Sequence, residues 1–500
     1  SASVQVSSPE RTTPWKAQLQ EAVGWQWTPS AIQDLFQWQA GRIAVQGPST
    51  GQAALRWDAG QWQSRTLAAK GAVAARHTAT TALNAQIDDL PLSWLPLGLG
   101  SEIQSDVVLK GQVRLEQAEA LHVRAGLERS RGDLRISAEN APGQRINSGL
   151  RDARLGVVID NEDVQVQLNW DSEQMGQLQA QAQTRLSHDI QGWHWPEQAP
   201  VSGQLKAQLP RVGAWSLLAP PGWRVQGTLD ARLELSGTRQ KPQWQGHVQA
   251  DNLAVRSAVQ GIEFSQGQLR ARVHGQQVEL TQLSLRGAGA QGGQLQAQGD
   301  LTWLPPNPDA QKSSPWGQVN MALQMQAQAL RVSNRADRRL AISGQVKAQM
   351  QQGQLQLRGQ VQADQGLFIL PEDTTPTLGQ DVTIVDKRKT QTPNQTPAQT
   401  SSWVGIPDVQ VTLDLGPDFQ IQGLGLTTRL AGQVNLLSNA STKGLPRLNG
   451  EVSTEGGRYK AYGQQLNIDT GELRFNGPYD NPSLNIIALR VVKRFREAYE

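Results

Sequence analysis

Five hundred residues with 38% hydrophobic side chains and 48 glycines carry enough apolar material to fold, which excludes a disordered chain. Forty-seven Lys and Arg against 44 Asp and Glu leave a formal net charge of +3, too weak to point to nucleic acid without a basic and aromatic cluster. The absence of cysteine excludes a disulfide frame and a thiolate metal site, and no apolar run nears the roughly 20 residues that span a bilayer as a helix.

Ser1 opens without a charged-then-apolar signal pattern, so the chain as given reads as soluble. Residues 1–40 hold Trp15, Trp25, Trp27 and Trp38, and Ser30 is placed to cap a short helix over 30–37. From Ile43 a two-residue period takes over, which puts one set of side chains on each face of a strand. Val107, Leu109, Gly111, Val113 and Leu115 form one such run, and Leu134 with Ile136 another. Val164, Val166, Leu168 and Trp170 follow. Leu178 and Ala180 alternate with Gln177, Gln179 and Gln181, and Leu229, Ala231, Leu233 and Leu235 alternate with Asp230, Arg232 and Glu234. The pattern continues through Val248, through Met321, Leu323 and Met325, through Val346, and through Leu355 and Leu357. It resumes at Val409, Val411 and Leu413, and again at Val452 and at Leu473 and Phe475. Together these apolar positions are the predicted lining of one oily face.

Internal echoes argue for repeated units. Leu90-Pro91 with Trp94 ahead of the Val107 run is mirrored by Leu209-Pro210 with Trp215 ahead of Val225, about 120 residues later, the self-similarity of stacked-sheet arrays. Pro242, Pro446 and Pro482 each start a strand, where a missing N–H costs least. Gly287 to Gly293 is expected as a bulge or turn, and Asp469-Thr470-Gly471 as a reversal between strands. Residues 305–315 form a turn-rich insertion, and 386–402, with Lys387-Arg388-Lys389, have little to bury. The expected division is an N-terminal β repeat region with short helices (1–100), two curled-sheet repeats (101–220 and 221–385), a polar loop (386–402), a C-terminal β region (403–490) and a charged tail (491–500).

No catalytic constellation stands out. Of six histidines only His188 and His194 lie close, with Asp189 and Glu197 nearby, and that spacing lacks the short pitch of a zinc site. There is no phosphate-binding Gly-Lys-Ser/Thr loop and no nucleophile elbow. The sequence therefore predicts a non-enzymatic protein with no cofactor and no metal.

The run from Gly450 through Tyr459 to Gly463, followed by Leu466 to Ile468, Gly471 to Phe475 and Gly477 to Ile486, resembles the C-terminal domain of the TamB family within the AsmA-like superfamily. Ile342 to Val346 and Gln365 to Pro371 resemble it too. That resemblance implies a subunit of the Gram-negative translocation and assembly module, anchored in the inner membrane by an N-terminal helix outside this chain. It also implies a periplasmic location, phospholipid as cargo and a TamA-like outer-membrane β-barrel as partner. The expected fold is all-β: an elongated, mostly antiparallel curled sheet, a β-taco with an apolar interior groove and few short helices. The expected function is a conduit that shields acyl chains between the two membranes. The alternatives are a scaffold for outer-membrane protein assembly, in which sheet edges hold a β-barrel partner, and a dry β-solenoid.

Overall fold

The computed structural model describes residues 3–6, 15–30, 33–47, 51–67, 76–95, 104–118, 120–137, 145–189, 192–213, 223–257, 260–303, 319–351, 353–370, 406–442, 444–461, 463–478 and 481–490. The expected insertion at 305–315, the loop at 386–402 and the tail at 491–500 lie outside them. The backbone forms two compact units, Ser1–Asn252 with Arg272–Gln276, and Leu253–Ala271 with Gln277–Glu500. Among the described residues none forms a helix long and apolar enough to cross a membrane.

In the first unit, Arg76–Pro91, Val108–Gln117, Leu121–Arg131, Leu150–Asp160, Asp163–Ser172, Gly176–Arg185, Val201–Leu209 and Trp223–Gly237 pair antiparallel, each with the next. Short turns join Leu150–Asp160 to Asp163–Ser172 and Asp163–Ser172 to Gly176–Arg185, as antiparallel pairing allows. On the other edge of Arg76–Pro91 the strands come in collinear halves. Gln52–Trp57 pairs with its second half and Gly60–Leu67 with its first. Gly41–Gln46 and Gln33–Trp38 continue those two half-ladders.

Gln33–Trp38 corrects one expectation, since the described part of the predicted 30–37 helix is a strand. Phe36 faces Trp27 and Trp38 faces Trp25 across the ladder, with the rings of Trp25 and Phe36 6.2 Å apart. Cross-strand aromatic pairs of this kind stabilise a sheet, and a lone capping serine cannot compete with them.

In the second unit, Gln277–Gly287, Gln294–Trp303, Val319–Asn334, Arg338–Gln351 and Gln354–Ile369 pair antiparallel in sequence order. The chain then returns to lay Asp408–Asp414 and Phe419–Gly423 parallel to Gln354–Ile369. A parallel neighbour needs a crossover of a dozen residues or more, and the chain between Ile369 and Asp408 supplies that length. Leu426–Ser438 pairs with both returning pieces, and Arg447–Ala461, Gln464–Pro478 and Ser483–Leu489 complete the ladder.

The reversal expected at Asp469-Thr470-Gly471 is not a turn. Those residues lie inside Gln464–Pro478, and the chain reverses ahead of Gln464, where Gly463 adopts φ 72°. At Asp469 the register against the last strand slips by one residue, Ile468 facing Ala488 and Thr470 facing Ile487. An Asp-Thr-Gly signal inside a strand thus made a bulge in place of a reversal.

That bulge belongs to a line of them. Register shifts fall between Arg331 and Ser333, Ala341 and Ile342, and Thr428 and Leu430, and the Asp408–Asp414 strand breaks before Phe419. Bulges bend a strand and sharpen its twist. Aligned across neighbours they crease the second unit's sheet, so that each long strand is a longer leg followed or preceded by a shorter one.

Candidate functional site: one apolar sheet face

Registers carry the apolar positions of separate strands into continuous rows. In the first unit Ile87, Gly111, Leu127, Leu155, Leu168, Ala180, Leu205 and Leu233 oppose one another across eight consecutive strands. A second row joins Trp170, Leu178, Ala207 and Ala231, and a third joins Val166, Ala182, Gly203 and Leu235. Leu229 faces Leu209. Val248 lies on Pro242–Ser257 with half-buried Trp244 and buried Ala250 at alternate positions. In the second unit Leu323, Ala348, Leu357 and Val409 form one row, and Met325, Val346, Gly359, Val411 and Leu436 the next. Met321 and Leu355 both face Met350.

Exposure differs between the two faces. Gln177, Gln179, Gln181 and Gln183 are exposed while Leu178, Ala180 and Ala182 between them are half-buried. No helical layer among the described residues covers these side chains. The apolar side is thus the less exposed of the two. It is sheltered without being sealed, since Leu155 retains 40% of its exposure.

In each unit a stretch of the apolar face is filled by the protein itself. In the second unit Ala363, Leu415, Phe419, Leu430, Val434 and Val452 form a buried cluster at the crease, with Leu413, Leu473 and Phe475 packed against it. Phe419 stacks on Phe368 with ring centroids 5.3 Å apart and occupies the space over Gly366, where a Cβ would stand 2.4 Å from its ring. Val452 is 2% exposed. Of the predicted lining, then, Val452 is core, and Leu413, Leu473 and Phe475 border it. The longer leg, with Met321, Leu323, Met325, Val346, Leu357, Val409 and Val411, stays half-buried.

In the first unit a small three-stranded sheet, Gln104–Ser105, Leu134–Ser137 and Arg145–Asn147, lies at one end of the long strands. Its Leu134 and Ile136 bury against Leu92, Val107, Leu109, Leu150 and Met175, with Trp170 at the margin. Asp133 fastens this flap. Its carboxylate accepts hydrogen bonds from Ser148 Oγ at 2.6 Å and from the backbone N–H groups of Gly149, Leu150 and Leu134 at 3.0, 3.0 and 2.7 Å. Burial pushes the carboxyl up, but these donors outweigh it and hold Asp133 below its ordinary value. The sequence pattern placed Leu134 and Ile136 among the ordinary strands, and the brevity of that run was the one available sign of a separate element.

The hollows in the surface are elsewhere. Spaces of about 520 and 450 Å³ in the second unit and about 290 Å³ in the first are lined chiefly by Gln, Thr, Lys, Arg and acidic residues of the opposite, polar face. His188 packs on Trp193 at 4.9 Å and His194 Nδ1 stands 3.6 Å from Asp189. Among the described residues no His, Cys, Asp and Glu group is placed to hold a metal ion.

Comparison with known proteins fits this pattern. Residues 281–498 match the family described as TamB C-terminal domain, and residues 61–250 match that described as TamB, N-terminal domain. A curated relative, the Translocation and assembly module subunit TamB of Haemophilus influenzae, is 23% identical over 317 residues. The match covers 62% of this chain and 23% of that protein, so the chain spans about a quarter of its relative's length.

Proposed function

Because the chain belongs to the TamB family, we propose that it is a section of a non-enzymatic periplasmic conduit whose apolar sheet face shelters phospholipid acyl chains between the inner and outer membranes. The observation that carries this reading is the run of in-register apolar rows that are half-buried and lie outside the two packed clusters. Along one strand of the first unit, Val164, Val166, Leu168 and Trp170 give an apolar depth of about 20 Å at about 3.3 Å per residue. One leaflet of a bilayer is about 15 Å of hydrocarbon, so an acyl chain fits along the strand. At about 0.8 kcal/mol per CH₂, full shielding of sixteen carbons is worth about 12 kcal/mol, and contact on one side about half of that. Rows of small and medium aliphatics vary little in grip from strand to strand, which suits movement across them.

One observation favours a docking role beside the conduit. In the terminal strand Ser483–Leu489, Leu484, Ile486, Ile487 and Leu489 are 62%, 42%, 50% and 52% exposed, on both faces of a strand paired on one side only among the described residues. Such an edge accepts another strand, and an outer-membrane barrel subunit of the module is the proposed partner.

Photo-crosslinking residues placed at Val411 and Leu233 test the conduit. Adducts of phospholipid mass are the expected result. Adducts of protein mass at both positions would establish the scaffold reading instead.

A further inference from the structure

The polar face of the second unit carries a feature that lipid shelter does not use. The side-chain amides of Gln296, Gln326, Gln345 and Gln360 oppose one another on four consecutive strands. The line continues through the hydrogen-bonded pair Thr412 and Asn435, 2.8 Å apart, to the amides of Asn449 and Asn476. This gives eight strands in one line with no charged residue. At about 4.8 Å per strand it runs for about 34 Å. The six amides outside the Thr412 pair are exposed and have no hydrogen-bond partner among the described residues. Each offers both donors and an acceptor.

Two further facts turn this line into a site. Gln296, Gln326 and Gln345 help to line the hollow of about 450 Å³, and the adjoining hollow of about 520 Å³ shares Gln298, Gln324 and Lys347 with it. Two flanking pairs neutralise each other, Arg358 with Asp408 and Arg474 with Glu451, and Lys347 adds a cation at the wall of both hollows. The line itself is uncharged, which matches a linear, neutral polymer rich in hydroxyl or amide groups. Strands here are paired along both edges, so their backbone offers no ladder to a peptide and recognition falls to side-chain amides alone. One amide every 4.8 Å or so is close to the rise of a single sugar in an extended β-1,4-linked glycan.

We propose that this amide line and its hollow bind a neutral, N-acetylated glycan chain lying across the strands of the second unit. The 500-residue chain should be retained on chitin beads and released by soluble tetra-N-acetylchitotetraose. Gln326→Ala combined with Gln345→Ala should lower retention at least fivefold, with an unchanged circular dichroism spectrum. Gln179→Ala with Gln181→Ala, on the polar face of the other unit, should leave retention intact. No retention on chitin, undiminished retention of the Gln326/Gln345 variant, or release by an unstructured polar peptide but not by the tetramer would each overturn the proposal. None of these outcomes bears on acyl-chain binding, which uses the opposite face.

Discussion

Asp133 shows how one side chain holds an element in place. It gathers four donors, and one of them, Ser148, is fully buried. Without the carboxylate, Ser148 and three backbone N–H groups lose their acceptor at a cost of about 1–3 kcal/mol, so Asp133→Ala should lower the unfolding midpoint and release the flap first. Hydrogen exchange at Leu134 and Ile136 would show whether it does. The pH dependence has a definite sign. A carboxyl held below its ordinary 3.8 in the folded state contributes stability that is complete above that value and is lost as pH falls through the folded one. The difference in melting temperature between the protein and its Asp133→Asn variant should therefore be largest near neutrality and shrink below about pH 4. A difference that stays constant from pH 7 to pH 3 would show that the charge is not what Asp133 supplies. None of this was legible in the sequence, because three of the four partners of Asp133 lie 15 to 17 positions away.

At the scale of elements, the same binary pattern yields two environments. Leu430, inside the crease, is 7% exposed, whereas Leu205, in the open row of the first unit, is half-buried. Leu430→Ala should cost about 2–5 kcal/mol of stability, and Leu205→Ala well under half as much, since less surface returns to water. Chemical denaturation of the two variants makes the comparison, and equal losses would mean that the open row is packed as tightly as the crease. Gly366→Ala should cost about 1–3 kcal/mol by driving a Cβ into Phe419. Alternation at Leu178, Leu233 or Val411 was enough to place each on the apolar face, because a period of two leaves a side chain only two directions. The crease was not legible. It depends on bulges at Ala341, Thr428 and Asp469 falling side by side, and strand pairing decides that over separations of tens of residues. The helix expected over 30–37 failed for a related reason, since its aromatic residues took their partners from a neighbouring strand.

For the molecule as a whole, the chain belongs to the TamB family and carries in-register apolar rows in each of its two units. The family matches span residues 61–250 and 281–498 and so take in the strands that carry the apolar rows of both units. The central claim is that these rows hold acyl chains. Native mass spectrometry of the chain purified from bacterial envelopes tests it most directly, beside a variant with Leu233→Glu and Leu235→Glu. Both substitutions fall on half-buried positions of one strand, where two carboxylates can remain hydrated and the sheet can still form. The account predicts bound phospholipid on the unaltered chain and at least a severalfold loss from the variant at equal folding. Phospholipid loading that is equal in both, or absent from the unaltered chain, would contradict it.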